Sequence, residues 1–420
     1  MIGLVEVKGY KCLRYIRQPL GRFHVLVGPN ASGKSTFLDT LLFVRDLVRD
    51  DVESAVRARG RSVRELVWKG EGDAFEIALE FRAHGQVHVG PVGHRYDALR
   101  YELRVRGAVN GIHLDVENLW LVSDAARPGR ERKEAQAQFF PWEREVPASV
   151  VIAPGKHAPK GWRKVMSRGK EGRVYVRSER TQWNIGLRPV AGRSGLTVIP
   201  DEEERFPAAV WLRRLLTESI QFLMLDSRAM RAPVPPDAPE TYQPTGANLA
   251  KVVEGLQKNH PDRFRDWLRH VQTVLEDIEQ ITIRERPEDR FRYLVTRMRG
   301  GYEVPSWLLS DGTLRFLALT VLPYLPHAEG VYFVEEPENG IHPRALEALY
   351  QSLSSVYDGQ VLCATHSAVL LNVAKLPELL CFARTENGGT STVQGDKHPA
   401  LKEWRKEVPL GDLLASGVLG

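Results

Sequence analysis

Cysteine is scarce in this chain, since only Cys12, Cys363 and Cys381 occur among 420 residues. They form no CxxC pair and no disulfide framework, which excludes a disulfide-stapled scaffold and indicates a reducing compartment. No apolar run approaches the ~20 residues that a membrane-spanning helix needs. The first twenty residues lack the apolar core of a signal peptide. The sequence therefore predicts a soluble, cytoplasmic protein with no membrane segment.

Internal repeats, low-complexity tracts and coiled-coil heptads are also lacking, which excludes repeat and long coiled-coil architectures. The length exceeds what one core usually holds, so two domains, or one domain with a large insertion, are expected. The net charge of +5 and the pI of about 9.0 permit an anionic partner such as nucleic acid. A merely arginine-rich proteome would give the same balance, so the charge alone leaves both interpretations open.

Strands alternate with helices at both ends of the chain. The N-terminal part predicts strands at 2–8 and 23–27, a glycine loop, and a helix from Lys34 to about Val48. The C-terminal part predicts strands at 331–334 and 360–364, and helices at 344–356 and 367–373. This order favours an α/β fold in which a mixed or parallel sheet is flanked by helices.

The middle of the chain is less regular. Its periodicity predicts strands at 76–82, 100–105, 281–284 and 292–296, short β-like runs at 150–152 and 174–176, and helices at 208–223, 248–257 and 264–278. We therefore expect a split α/β domain at 1–105 and 280–420, a basic β-rich insertion at 106–205, and a helical subdomain at 206–279.

The loop after the second predicted strand fits the pattern GxxxxGK[ST] of a P-loop. Its glycines let backbone N–H groups converge on phosphate oxygens, and the following helix adds the positive end of its dipole. Lys34 would reach the β- and γ-phosphates of ATP, and the Ser35 hydroxyl would ligate Mg²⁺. The residues expected to bind ATP here are Gly28, Pro29, Asn30, Ala31, Ser32, Gly33, Lys34, Ser35 and Thr36. The alternative is a glycine turn that merely caps a helix.

The apolar strand at 331–334 ends in two carboxylates, Glu335 and Glu336. Ligands bind at the carboxyl ends of strands in open α/β sheets, and alternation sends the two side chains to opposite sides. We assign Glu335 to Mg²⁺ and Glu336 to polarising the attacking water. Paired glutamates are common on protein surfaces, so this assignment depends on the P-loop.

Two further segments provide candidate phosphate contacts. Ser310 is a plausible N-cap for the apolar helix that follows, and with Asp311 and Gly312 it forms a second anion site at a helix start. An ordinary capped helix is the alternative. His366 follows the strand at 360–364, where an imidazole could contact a γ-phosphate or a lytic water. A lone histidine is more often structural, so this role too depends on the other motifs.

The order of P-loop, LSDGT, VYFVEEPENGIHP and CATHS resembles the ABC-type ATPases of the SMC/RecF/OLD group, and most of all their stand-alone, OLD-like AAA-family members. The Glu-Glu-Pro-Glu run followed by His342-Pro343 is typical of those members. The stretch from Gly9 to Leu13 resembles the aromatic-basic segment ahead of the P-loop, which implies that Lys11 contacts the nucleotide. The resemblance covers about residues 1–50 and 300–375.

The resemblance implies a mechanism. Two heads would sandwich two ATP molecules, with each P-loop facing Ser310–Gly312 of the partner and with 339–342 crossing the interface. The LSDGT signature differs from the LSGGQ of transporters, which argues against a transporter subunit. Glu335 stands where many relatives have Asp, and no Q-loop glutamine can be located. Only 54 residues follow His366, too few for a Toprim nuclease domain, so we expect any nuclease to be a separate chain.

The region from Arg127 to Arg180 is basic, with fourteen Lys/Arg against six Asp/Glu. Trp142, Trp162 and Tyr175 are interleaved with these charges. Lys and Arg can neutralise phosphates and aromatic faces can stack on bases, so the region is a candidate contact for nucleic acid or for a partner protein. A solvated loop region with a small aromatic core is the alternative.

Three hypotheses for function follow. The first is an ATPase that couples ATP-driven homodimerisation to sensing or handling nucleic acid, in anti-phage defence with a separate effector such as a nuclease. The second is a DNA-repair ATPase similar to RecF. The third is an ATP-gated scaffold, a homodimer or a higher oligomer, that cages an effector with little turnover.

Overall fold

We describe the protein from a computed structural model. The structure describes residues 1–82, 88–89, 95–109, 111–123, 139–153, 156–169, 172–326, 330–402, 404 and 408–419. The part of the predicted basic region at 127–138, together with 154–155 and 170–171, lies outside the described residues. Within the described ranges, no helix has both the length and the apolar character needed to cross a bilayer.

The strands are β1 Ile2–Tyr10, β2 Leu13–Pro19, β3 Phe23–Val27, β4 Ala74–Phe81, β5 His88–Val89, β6 Arg95–Tyr96, β7 Ala98–Ala108, β8 Gly111–Val122, β9 Trp162–Arg168, β10 Val174–Arg177, β11 Asn184–Leu187, β12 Ile220–Leu223, β13 Ile278–Glu285, β14 Arg292–Met298, β15 Glu303–Pro305, β16 Val331–Glu335, β17 Gln360–Ala364, β18 Leu379–Arg384 and β19 Thr390–Gln394. The helices are α1 Lys34–Arg49, α2 Val52–Arg57, α3 Val63–Leu66, α4 Pro207–Arg214, α5 Ser227–Arg231, α6 Leu249–Asn259, α7 Pro261–Gln272, α8 Asp311–Thr320, α9 Leu346–Ser354, α10 Ala368–Val373 and α11 Leu410–Ala415.

A six-stranded sheet in the order β12-β16-β17-β3-β18-β19 carries the motifs. Its first five strands are parallel and β19 is antiparallel, which confirms the predicted mixed or parallel sheet. All five residues of β3 and of β17 are buried, as expected for strands covered on both faces. Along β3, Leu26 faces one apolar core, whereas Val25 and Val27 face the other.

A second, eight-stranded antiparallel sheet has the order β11-β10-β9-β8-β7-β4-β1-β2. One face of this sheet and one face of the six-stranded sheet enclose α1, and their apolar side chains form a single core. Helices α6 to α9 cover the opposite face of the six-stranded sheet in a second core. Strands β9 to β11, from the predicted insertion, extend the same sheet as β1, β2 and β4. The proposed domain boundaries at 105, 205 and 279 remain predictions.

The outer face of the eight-stranded sheet carries buried charge. Arg100 on β7 donates hydrogen bonds to carboxylates on three strands, namely Glu6 at 2.8 Å, Glu80 at 3.3 Å and Glu102 at 2.9 Å. It also donates to the Val150 carbonyl at 2.8 Å. Through the bond to Val150, this cluster holds the segment 149–152 against the central strands of the sheet.

The β-like run at 150–152 does not form a strand, contrary to expectation. The Val150 N–H donates to the Glu76 carboxylate at 2.7 Å, and the Ile152 N–H donates to Glu102 at 3.0 Å. Buried backbone donors need partners, and here buried carboxylates provide them instead of a β-ladder. Apolar composition alone could not distinguish these two solutions.

The predicted helix over 208–223 is wrong in its last quarter. Helix α4 ends at Arg214, Leu215–Ser219 form a π-helical turn, and Ile220–Leu223 form β12, which pairs in parallel with β16. The predicted helix over 264–278 likewise ends at Gln272, and Ile278 begins β13. Sheet pairing with a buried neighbour overrides local helical periodicity at both places.

Candidate nucleotide-binding site

The carboxyl ends of three adjacent strands, β16, β17 and β3, meet at one edge of the six-stranded sheet. Glu335 lies opposite Ala364 in the register, and Ala364 lies opposite Leu26. The Glu336 N–H donates to the Ala364 carbonyl at 2.8 Å, and the Thr365 N–H donates to the Leu26 carbonyl at 3.2 Å. The glycine loop, the acidic pair and the segment that contains His366 therefore leave the sheet side by side.

The loop between β3 and α1 needs glycine at two positions. Gly28 and Gly33 have φ values of 146° and 106°, which favour glycine because a Cβ is strained there. A Cβ on Gly28 would lie 2.1 Å from the Phe382 carbonyl oxygen, and one on Gly33 would lie 2.2 Å from the Thr390 Oγ1. Strands β18 and β19 thus hold the loop from the side opposite β17.

Lys34 folds back over the loop. Its ammonium group donates to the Gly28 carbonyl at 2.7 Å and to the Pro29 carbonyl at 3.0 Å. Burial lowers the pKa of Lys34 below its ordinary value, whereas the charges of Glu335 and Glu336 oppose that shift. These two carboxylates therefore lie close enough to influence the lysine electrostatically.

The loop also contains an unsatisfied donor. The Ser32 hydroxyl is buried and has no hydrogen-bond partner among the described residues. Buried polar groups in proteins are nearly always paired. A phosphate oxygen in the loop would be a suitable acceptor for this hydroxyl, so the donor set of the loop fits a nucleotide.

Glu336 is held in a strained conformation. Its φ is 47°, which is uncommon for a residue with a side chain. The Asn339 amide donates to the Glu336 carboxylate at 2.6 Å. The side chain remains exposed, so it is oriented while it can still reach a water molecule.

Glu338 connects the acidic loop to the segment after β17, and sequence reasoning did not assign it a role. Its carboxylate accepts hydrogen bonds from the Thr365 hydroxyl at 2.7 Å and from the His366 N–H at 3.1 Å. The other oxygen of this carboxylate is buried without a partner among the described residues. Glu338 is therefore a positioning residue for His366.

We expect Glu338→Ala to lower kcat for ATP hydrolysis by about 10-fold, because two hydrogen bonds of roughly 0.5–1.5 kcal/mol each are lost. Glu338→Gln should retain most of the activity, since its carbonyl oxygen can accept the same two hydrogen bonds. Steady-state phosphate release by both variants checks this expectation. An unchanged kcat for Glu338→Ala would show that the link does not position His366.

The segment with Ser310, Asp311 and Gly312 starts α8 as predicted. The Ser310 hydroxyl accepts from the Thr313 N–H at 3.1 Å and so caps the helix. Asp311 pairs with Arg231 at 2.5 Å. A Cβ on Gly312 would lie 2.1 Å from the Gly340 carbonyl oxygen, so this helix start packs directly on the turn at 339–342.

Lys11 lies in the turn between β1 and β2. Its ammonium group pairs with Asp39 of α1 at 2.7 Å, and the Tyr10 hydroxyl donates to the same carboxylate at 2.7 Å. Arg59 also pairs with Asp39, at 2.6 Å. The turn is thus fastened to the helix that follows the glycine loop, and a nucleotide contact for Lys11 remains a prediction.

Two predicted magnesium ligands, Ser35 and Glu335, belong to elements that meet at this edge. Among the described residues, no group of three or more His, Cys, Asp or Glu side chains could hold a metal ion. Mg²⁺ usually takes one or two protein oxygens and completes its shell with substrate phosphates and water. A hydroxyl and a carboxylate beside a phosphate loop fit that chemistry.

Some contributors to the site gave no clear signal in the sequence. Thr390 touches the glycine loop from a strand far along the chain, and nothing in its local pattern indicates this contact. Strand β12 brings Met224 to the same edge beside β16. The sequence of this strand has helical periodicity, so the sequence analysis predicted a helix there. Glu338 could have been suspected, because it is the third acidic residue of the Glu-Glu-Pro-Glu run.

Comparison with known proteins identifies a matching family. The family model described as "AAA domain, putative AbiEii toxin, Type IV TA system" matches residues 23–101 and 159–372, which is more than half of the chain. The OLD nuclease of Thermus scotoductus is 30% identical over 121 residues, which are 28% of this chain and 20% of that protein. The chain thus spans about a fifth of the length of this curated relative.

Solved SMC head domains are distantly similar to the chain. One is an SMC head bound to the C-winged helix domain of ScpA. Its match has a TM-score of 0.48 at 13% sequence identity, and it spans 93% of this chain and 96% of the SMC head chain. Another is the SMC head domain from Thermotoga maritima. Its match has a TM-score of 0.45 at 12% sequence identity, and it spans 94% of this chain and 98% of the SMC head chain. Both similarities are too distant to add to the fold described above. On its family match, which spans more than half of its length, the chain belongs to the AAA-domain family named above.

Proposed function

We propose that this ATPase hydrolyses ATP with Mg²⁺ as a homodimer, and that closure of the dimer reports nucleic acid to a separate effector. One observation carries the proposal: the glycine loop, the acidic pair and the His366 segment end side by side at one sheet edge. No single motif would support it alone, because each has an ordinary structural alternative.

Each side chain has a role in this reaction. Lys34 leaves the loop carbonyls to bind the β- and γ-phosphates, and the loop N–H groups cradle the remaining oxygens. Glu336, oriented by Asn339, polarises the attacking water. His366 contacts the γ-phosphate or that water. Mg²⁺, held by Ser35 and Glu335, would neutralise charge on the phosphate oxygens.

Exposed apolar side chains around the same edge support a dimer. Leu308, two residues before the N-cap of α8, is 68% exposed, and Met224, directly after β12, is 62% exposed. Val369, in the first turn after His366, is also exposed. Apolar groups gathered on one face often mark an interface. In the proposed dimer this face covers the nucleotide, and Ser310–Gly312 of each subunit contacts the γ-phosphate bound by the other.

Substitution of Gly312 tests this arrangement. Gly312→Ala would place a Cβ within 2.1 Å of the Gly340 carbonyl oxygen, so the helix start must shift. We expect ATP-dependent dimerisation, measured by light scattering with Mg²⁺ and ATP, to be lost, while monomeric ATP binding is retained. Gly255→Ala in α6 is the matched control, because its Cβ would meet nothing within 4 Å.

Two outcomes would contradict the dimer. One is a protein that stays monomeric with ATP even when hydrolysis is blocked by Glu336→Gln. The other is a Gly312→Ala variant that dimerises as well as the Gly255→Ala control. Thermal unfolding of both variants separates a local shift of the helix start from a general loss of folding.

A defence role with a partner nuclease is the remaining part of the proposal. It is supported by the similarity to a protein named OLD nuclease and by the net positive charge of the chain. Plating of phage on cells that carry this gene with its neighbours tests it. Protection that disappears with Glu336→Gln supports a role for hydrolysis. Protection that survives favours the ATP-gated scaffold, and no protection at all argues against defence.

A further inference from the structure

The outer face of the eight-stranded sheet is covered in its centre and open toward one end. The segment 149–152 lies over β4, β7 and β8 through its hydrogen bonds to Glu76, Arg100, Glu102 and Asn118. Toward the other end, on β9 and β10, the same face presents Lys164, Tyr175 and Arg177. Residues paired across neighbouring strands share a face, and the register pairs Trp120 with Lys164 and Ser167 with Tyr175.

Strand β10 presents an aromatic ring between two cations. Arg173, Tyr175 and Arg177 alternate with the buried residues Val174 and Val176, so all three point outward. Tyr175 is 53% exposed. Adjacent outward positions on a strand lie about 6.7 Å apart, so the ring and both guanidinium groups can contact one extended chain at once.

Glycines on both neighbouring segments leave the Tyr175 ring uncovered. A Cβ on Gly169 would lie 3.2 Å from the Tyr175 Cε2, and one on Gly186 would lie 3.6 Å from its Cε1. Larger side chains at either position would lean on the ring and shield it from solvent. The flat face of the Tyr175 ring is therefore open to solvent, and its exposure does not contribute to the stability of the fold.

Within the part of the chain that the structure describes, the cations of this patch have no carboxylate partner. Lys164, Arg173 and Arg177 form no ion pair with any described residue, and the Lys164 ammonium lies over the Trp120 ring, 4.9 Å from its centroid. Burial lowers the pKa of Lys164, and the neighbouring charge of Arg177 lowers it further. Glu102 is the carboxylate whose charge acts on Lys164. It already accepts hydrogen bonds from Arg100, Asn118 and Trp120. Like charges held together without a partner are repulsive until an anion arrives.

We infer that the outward patch formed by Lys164, Arg173, Tyr175 and Arg177 binds single-stranded nucleic acid. Phosphates would pair with the three cations, and an unpaired base would stack on the Tyr175 ring. A duplex keeps its bases inside and cannot use the ring. An acidic peptide could pair with the cations but would not stack on the Tyr175 ring. The inference rests on the proposed function, in which nucleic acid is the partner.

Fluorescence anisotropy with labelled 15-nucleotide oligothymidylate and oligouridylate tests the inference on the full chain. Tyr175→Ala should weaken binding about 5- to 150-fold, the range for one stacked base. Changing Lys164, Arg173 and Arg177 together to Gln should flatten the slope of log K against log salt by about 2, at roughly 0.7 for each phosphate contact. A 15-base-pair duplex should bind with nearly the same affinity to wild type and Tyr175→Ala.

Matched controls exist on other surfaces. Tyr357→Ala removes a similarly exposed tyrosine, and changing Arg57, Arg265 and Arg269 to Gln removes the same charge from exposed helix positions. Unchanged binding by Tyr175→Ala, or equal losses in the patch and control variants, would overturn the patch while leaving the proposed function intact. If the wild-type protein binds neither oligonucleotide, both the patch and the nucleic-acid part of the proposed function are overturned.

Discussion

Glu336→Gln is expected to lower kcat for ATP hydrolysis by about 100- to 10,000-fold, the range for loss of a general base. ATP binding should be nearly unchanged, because the glycine loop and Lys34 remain. The amide can still accept a hydrogen bond from Asn339 but cannot take a proton from water. The same variant should accumulate as the ATP-bound dimer, since hydrolysis no longer reopens it.

The paired measurements are single-turnover hydrolysis and equilibrium binding of ATP with Mg²⁺. Glu347→Gln in α9 is a suitable control, because Glu347 is an exposed glutamate in the first turn of a surface helix. If Glu336→Gln hydrolyses ATP as fast as the control, the assignment of Glu336 is wrong. If both binding and hydrolysis fail together, the side chain supports the site rather than the chemistry.

Arg100→Met is expected to lower the free energy of unfolding by about 3–5 kcal/mol, which is typical when one partner of a buried ion cluster is removed. Arg100 is only 6% exposed, and the charges of Glu6, Glu102 and Glu80 raise its pKa despite burial. Without the guanidinium group these three carboxylates would face one another with too little compensation. The Val150 carbonyl would also lose its donor.

Urea unfolding of this variant and of a matched control checks this expectation. Arg57→Met breaks only an exposed pair with Glu53 and should cost little. An equal effect of both substitutions on the free energy of unfolding would contradict the account of the cluster.

The sequence contained most of what positions the site. The strands at 23–27 and 360–364 appear with the predicted bounds, and the strand at 331–334 is only one residue longer. Each is a mostly apolar run followed by glycine, acidic or other polar residues, so composition and boundary signals agree. Their parallel order follows from the helices between them. The convergence of the three ends could therefore be anticipated before any coordinates.

The rest depended on contacts between distant parts of the chain. Ile220–Leu223 continues a helical pattern, yet it pairs with β16, and only the sheet decides between the two outcomes. Val150–Ile152 has the composition of a strand, yet buried carboxylates satisfy its backbone. The contact between Gly33 and Thr390 joins residues more than 350 positions apart. Local periodicity has no information about such partners.

The outward patch shows a similar limit. The basic excess and the interleaved aromatics were visible in the sequence, but their arrangement was not. Trp162 packs against a small cluster with Trp120, as the structural alternative expects. Tyr175, by contrast, is left open between glycines. The sheet register, rather than composition, separates the aromatic that builds a core from the one that can stack on a base.

A structure of the Glu336→Gln variant with ATP and Mg²⁺ tests the central claim most directly. We predict that the Lys34 ammonium leaves the Gly28 and Pro29 carbonyls and binds the β- and γ-phosphates, with Ser32 donating to the nucleotide and His366 beside the γ-phosphate. An ATP molecule bound elsewhere, with Lys34 still bonded to the Gly28 carbonyl, would contradict the account.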